Sequence, residues 1–223
     1  MKVSWFTILI GSAGLLAAQS DTGKRLQAAA EVLTEIMGTP DRGIPQDLLD
    51  KAQCVVIVPG LKKGAFIFGG KYGKGFADCR REGGVGWSAP GAVRVEGGNF
   101  GLQIGVSETD VVMLVMNRKG MDRLLTSKFT LGADASVAGG PVGRTTSAQT
   151  DAMMTAEILT WSRSRGVFAG VSLDGATLRE DGDGNQELYG RPVTNRQLIT
   201  GGAAPPAAAA RLLDVLNKYS SRK

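Results

Sequence analysis

The chemistry open to this chain of 223 residues is limited first by an absence: it contains no histidine. Histidine titrates nearest neutrality. Without it there is no Ser-His-Asp or Cys-His nucleophile system, no His-ligated zinc and no general base of the commonest kind. Two cysteines, Cys54 and Cys79, are too few for a thiolate zinc site. Gly170-Val-Ser-Leu-Asp-Gly175 approaches a nucleophile elbow, but it is one residue too long and offers Ser172 no base. Gly70-Lys-Tyr-Gly-Lys-Gly75 approaches a phosphate loop, but it lacks the spacing and the hydroxyl residue after lysine, so a glycine-rich hairpin is expected. Asp181-Gly-Asp-Gly-Asn185 sets oxygen side chains at alternate positions, as a calcium loop does. Gln186 then stands where glycine is needed and Pro192 where a bidentate glutamate is needed, so an acidic turn is the expectation. The chain is expected to be no enzyme and to carry no metal or cofactor.

Charge offers more. The formal net charge is +5, and it is segregated along the chain. Lys62, Lys63, Lys71, Lys74, Arg80 and Arg81 lie close together, with only Asp78 against them. Asp174, Glu180, Asp181, Asp183 and Glu187 follow later, with only Arg179 against them. A lysine or arginine held at an anionic membrane contributes about 1 kcal/mol, so three or four engaged together bind reversibly. The same lysines could instead guard a solvated hairpin edge against pairing with other strands. Trp161-Ser-Arg-Ser-Arg165 puts Arg163 and Arg165 on one side of an extended segment. Both could meet one phosphate-bearing surface, or pair with the acids of residues 174–187. Nucleic acid is not an expected partner: aromatic residues are 6% of the chain and do not interleave with the basic ones.

The elements that would position these groups follow from periodicity. One lysine, an apolar run from Val3 to Leu16 and then Ala18-Gln19-Ser20 have the layout of a secretory signal peptide cut before Asp21. The run is shorter than a membrane span. Export to a periplasm or cell envelope is therefore expected, and there Cys54 and Cys79 could form a disulfide or stay as two buried thiols. Leu26, Ala29, Val32, Leu33 and Ile36 recur at helix spacing over residues 21–37, with Asp21 or Thr22 as cap and Lys24 and Arg25 at one end. This amphipathic helix could pack on its own domain or lie in a bilayer interface. A short helix is expected over residues 45–52.

A β-branched run at 53–58 should end at Pro59-Gly60, and hairpins should turn near Gly73-Lys74 and Gly97-Gly98. Residues 110–116 form an apolar strand, and Asn117 caps a short helix. Strands at 156–162 and 166–173 flank Ser164-Arg165, and a helix closes the chain at 207–219. The expected fold is α+β: an antiparallel-dominated, curved or barrel-like sheet with N-terminal amphipathic helices and a C-terminal helix. The expected divisions are a signal peptide at 1–20, a helical segment at 21–52, a β-rich core at 53–200, and a linker with the last helix at 201–223.

Trp161-Ser-Arg-Ser-Arg-Gly-Val-Phe-Ala-Gly-Val-Ser-Leu-Asp-Gly175 resembles the signature of the SYLF domain family, with Trp161 where tyrosine is common. Six more segments are similar to that family and stand in its order. They are Ile44–Ala52 with Val55–Pro59, Gly69–Gly75, Trp87-Ser-Ala-Pro90, Gly101–Gly105, Gly140–Arg144 and Leu188-Tyr-Gly190. The resemblance implies a lipid-binding domain, with phosphoinositides as ligands of eukaryotic members and actin regulation among their roles. With an export signal, general anionic phospholipids are the expected partner and actin is set aside. The basic residues expected to meet lipid are Lys24, Arg25, Lys62, Lys63, Lys71, Lys74, Arg163 and Arg165. The competing expectation is a structural or protein-interaction module of the envelope.

Overall fold

The computed structural model describes residues 20–39, 43–65, 68–100, 105–140, 155–164, 167–168 and 173–220. Residues 1–19 of the expected signal peptide, Arg165 and most of the Gly166–Leu173 segment lie outside the described residues.

Helix α1 (Asp21–Met37) opens the described chain, and its N-cap is Ser20, whose hydroxyl accepts from the Gly23 N–H at 3.1 Å. The cap thus falls one residue before the two expected. The helix buries Leu26, Ala29, Ala30, Val32, Leu33 and Ile36 against the sheet and the last helix. Each of its four large aliphatic side chains contributes roughly 1.5–3 kcal/mol on burial, which settles where the helix rests: on its own domain. Helix α2 (Gln46–Lys51) follows.

The sheet is curled into a half-barrel, and its strands are mostly antiparallel. It holds β1 (Cys54–Ala65), β2 (Phe68–Cys79), β3 (Gly91–Phe100), β4 (Gly105–Val115), β5 (Lys128–Thr130), β6 (Val137–Gly139), β7 (Ile158–Ser164), β8 (Val167–Phe168) and β9 (Thr177–Glu180). The spatial order is β5-β9-β3-β2-β1-β4-β7-β6, with β8 beside β7. Helix α3 (Arg118–Leu124) follows β4 and is capped by Asn117, which accepts from the Gly120 N–H at 2.8 Å. Helices α4 (Gly182–Tyr189), α5 (Asn195–Thr200) and α6 (Ala210–Tyr219) complete the chain, with a 3-10 turn at Ala207–Ala209 before α6.

Two apolar layers sandwich the sheet. Val55, Ile57, Phe76, Val112, Leu114 and Trp161 face α1, α2 and α6. Val56, Val58, Val93, Val111 and Met113 face the other way, with Leu124, Leu131, Leu178 and Ile199. This is the period-2 alternation of a strand buried on both faces.

Three local expectations are corrected. First, Pro59-Gly60 does not end β1. It forms a bulge, with the register shifting between Ile57 and Lys62, and Gly60 takes a φ of 59° that suits glycine. Second, Gly73-Lys74 and Gly97-Gly98 are not turns but lie within the long strands β2 and β3. Their glycines serve close approach: a Cβ on Gly75 would sit 2.0 Å from the Ile57 carbonyl oxygen, and one on Gly97 would sit 3.1 Å from the Ala176 Cα. Third, Asp181–Asn185 is no acidic turn but the start of α4. Asn185 is fully buried there; its Oδ1 accepts from the Ala92 N–H at 2.7 Å, and its Nδ2 donates to Asn195 Oδ1 at 2.7 Å.

Cys54 and Cys79 stand opposite one another where β1 begins and β2 ends, and they are joined as a disulfide.

Candidate functional site

The basic hairpin is built by the bulge in β1. Past it, Lys62 pairs with Tyr72 on one side and Glu108 on the other, while Lys63 pairs with Lys71 and Ser107. Successive residues of a strand point to opposite faces, so the hairpin lysines divide between the two faces of the sheet. Lys62 is exposed, and beside it Tyr72 is 48% exposed, one of two large apolar side chains left in solvent among the described residues. Lys71 is 6% exposed. Burial pushes its ammonium below the ordinary lysine value, Lys63 pushes it further, and Asp174 partly offsets both.

Lys74 has a different task. It reaches buried Asp181 at 2.8 Å, and Arg94, its direct partner across β2 and β3, approaches the same carboxylate at 3.9 Å. One buried negative charge thus holds two cations that would otherwise repel across the strand pair. Lys74 is tied to the α4 cap and is a structural residue.

Lys24, Arg25 and Arg163 do come together, in a groove of about 1150 Å³ between α1 and the bulged ends of β1, β4 and β7. The groove is not cationic: five carboxylates line it, Glu35 and Asp110 among them. Arg163 is 14% exposed and bonded to Glu35 of α1, with Asp110 at 3.6 Å. Asp110 also accepts from the Gly60 N–H at 2.9 Å. Arg163 therefore clamps α1 to the bulge, and its carboxylates come from α1 and β4 rather than from residues 174–187. Lys24 pairs with Asp21 at 3.3 Å on the helix surface, a contact worth little in solvent.

Sequence reasoning missed two groups. Glu187 of α4 accepts from the backbone and hydroxyl of Thr22, which holds its carboxyl below the usual range and adds an acid at the α1 N-terminus. Arg80 donates to the carbonyls of Leu49, Ala52 and Ser220 and stacks 3.9 Å from the Trp87 ring. The Thr22–Glu187 and Arg80–Ser220 contacts join residues more than a hundred positions apart, and no local pattern signals them. Among the described residues no group of three or more acids or cysteines could hold a metal ion. Nor is any described helix long and apolar enough to cross a membrane.

The chain was compared with known proteins. The family described as Las17-binding protein actin regulator, Ysc84, matches residues 96–219. An SH3 domain-containing protein of Schizosaccharomyces pombe is 39% identical over 177 residues, 78% of this chain and 41% of that protein. LAS seventeen-binding protein 3 of Saccharomyces cerevisiae is 33% identical over 205 residues, 89% of this chain and 44% of that protein. The human SH3 domain-containing YSC84-like protein 1 is 30% identical over 209 residues, 91% of this chain and 60% of that protein. The chain thus spans about half the length of these relatives. The family's description names an actin regulator, so the exclusion of actin expected from the sequence does not stand. That description also names a regulator rather than a catalyst, which fits a non-enzymatic reading. With the half-barrel, the two helical covers and this match in agreement, the chain belongs to the Ysc84 family of SYLF domains.

Proposed function

We propose that this SYLF domain is an exported, non-enzymatic module that associates peripherally with anionic lipid surfaces through the far end of the β1–β2 hairpin. The observation that carries the reading is the direct pairing of Lys62 with Tyr72, both exposed at one hairpin end. A tyrosine places an apolar ring and a polar tip at the headgroup level, and a neighbouring lysine meets phosphate while its stem stays apolar. Lys63 stands next in the chain, and Glu108, the other partner of Lys62, lines the groove that holds Lys24 and Arg25. The contact is small and electrostatic, so it is reversible and salt-sensitive. Helix α1 takes no part as an inserted element in this reading, because its apolar face is spent on the core. The Cys54–Cys79 bridge supports an oxidising compartment and hence export.

Vesicle co-sedimentation of the purified protein tests the lipid contact. Recovery with phosphatidylglycerol vesicles should exceed recovery with phosphatidylcholine vesicles at low salt, and Lys62→Glu with Tyr72→Ala should abolish the difference. Equal recovery on both vesicles would overturn the reading. Fractionation of the cells that make the protein tests export. The relatives carry names that refer to LAS17 binding and SH3 domains, so a protein partner is the second reading. Cross-linking in cells that captures one protein from the wild type and from the Lys62/Tyr72 variant alike would favour it.

A further inference from the structure

Two clefts among the described residues differ in charge. Carboxylates outnumber cations in the α1 groove. The second, of about 800 Å³, lies at the opposite end of β1, between the turn after β2, α3 and the α5–α6 connection. Arg80, Arg81 and Arg118 line it, with Glu82 as its single acid. We propose that this cavity is a binding site for a single-chain anionic amphiphile, with the phosphate or sulfate head held by Arg81 and Arg118 and the chain laid on Met121, Ile199, Ala204 and Pro205.

The two arginines are available for such a head. Arg81 is exposed and donates through Nε to the Trp87 carbonyl at 2.7 Å, which fixes its guanidinium at the mouth. Among the described residues it makes no ion pair. Among the described residues Arg118 pairs only with Asp122, one turn along α3, at 3.3 Å. Both of those side chains are more than half exposed, so the pair is weak and an anion can displace it. A planar guanidinium meets phosphate oxygens with two parallel hydrogen bonds, which adds direction to charge. Arg80 is occupied by carbonyl oxygens and contributes a fixed positive charge at the inner wall.

Beyond the arginines, Gln53, Ser88 and Thr200 are polar, and Met121, Ile199, Ala204 and Pro205 supply an apolar strip. Met121 and Ile199 belong to the buried layer under the sheet and form the cavity floor. Ala204 and Pro205 form the facing wall, which Pro205-Pro206 holds extended. A volume of 800 Å³ falls in the range of small-molecule sites and exceeds what a bare phosphate fills. The site lies roughly 25 Å from Lys62 at the rise of a β-strand, so a membrane touching the hairpin end does not reach it. This inference does not rest on the membrane reading.

Calorimetric titration of the purified protein with decyl phosphate below its micellar concentration tests the proposal. Saturable binding is expected, with decyl maltoside and inorganic phosphate each at least tenfold weaker. Arg118→Glu reverses the rim charge at an exposed position, and Ala204→Trp fills the cavity. Each should weaken decyl phosphate at least tenfold with an unchanged melting temperature, while Lys62→Glu leaves it intact. Absence of binding, equal binding of inorganic phosphate, or binding indifferent to both substitutions would overturn the assignment. Loss of vesicle binding with decyl phosphate retained counts against the membrane reading alone; the reverse counts against this site alone.

Discussion

Lys63 and Lys71 stand directly opposite each other across β1 and β2, and Lys71 is almost wholly buried. Burial costs the Lys71 ammonium most, and a like charge at a direct cross-strand position adds to that cost. The folded state therefore holds the Lys71 proton less tightly than the unfolded chain does, whose value is near 10.5. For a base with a depressed folded pKa, stability is fully present above the unfolded value and is lost as pH falls through the folded one.

Lys63→Glu should stabilise the protein at pH 7. An opposite charge facing Lys71 contributes about 0.2–1 kcal/mol, a rise of at most about 4 °C in melting temperature for a chain of this size. Scanning calorimetry at pH 7 and pH 10 checks it. The gain should shrink at the higher pH, where Lys71 is less charged; a gain equal at both would show that the charge of Lys71 is not its source.

Asp78 gives the opposite slope. Its carboxyl is fully buried beneath the helical layer, and among the described residues neither oxygen has a hydrogen-bond partner. Burial raises its pKa well above the ordinary value; the Tyr189 phenol is pushed up by its own burial and then by the charge of Asp78, and it donates to the Pro90 carbonyl at 2.7 Å. An acid with a raised folded pKa keeps its contribution below the unfolded value and loses it as pH rises toward the folded one. Stability should therefore fall from about pH 4 upward by at most about 1.4 kcal/mol per pH unit on this account. Asp78→Asn should remove that slope, as urea denaturation across pH 4 to 8 would reveal.

Gly75 shows how far the sequence could be read. Periodicity located α1, the apolar half of β4, the Asn117 cap and the last helix, because each is decided by neighbours a few residues away. It placed a hairpin turn near Gly73-Lys74 because glycine is the ordinary mark of a turn. In the fold, glycine answers a contact from another strand: β1 bulges at Pro59-Gly60 and presses on β2 at Gly75. The candidate basic cluster was divided for the same reason. Lys62, Lys63, Lys71 and Lys74 look like one cluster in the chain, but strand alternation separates them and the buried Asp181 claims Lys74. Gly75→Ala should therefore act as a core lesion rather than a turn substitution. Its Cβ would meet backbone that cannot yield, and overpacking of that kind costs about 1–3 kcal/mol. An open turn glycine with negative φ would tolerate the change, and equilibrium denaturation separates the two.

Arg80 carries the final prediction, because one side chain holds the C-terminal ends of α2 and α6 to the sheet. It is 6% exposed and donates to carbonyls at the C-terminal ends of α2 and α6, where backbone acceptors lack helical partners. Ser220, just past α6, completes the junction by donating to Asp50 at 3.0 Å. Arg80→Ala strands these buried acceptors and removes the cation from the Trp87 face, at a cost of about 3 kcal/mol or more. Arg80→Lys should not rescue it, since a single ammonium cannot span three carbonyls and stack on an indole. Because α6 packs on α1, the loss should spread: hydrogen exchange should quicken first in α6, then in α1, before the central strands β1, β2 and β4. Uniform loss of protection across sheet and helices would instead make Arg80 one contact among many, and the helical layer inseparable from the half-barrel beneath it.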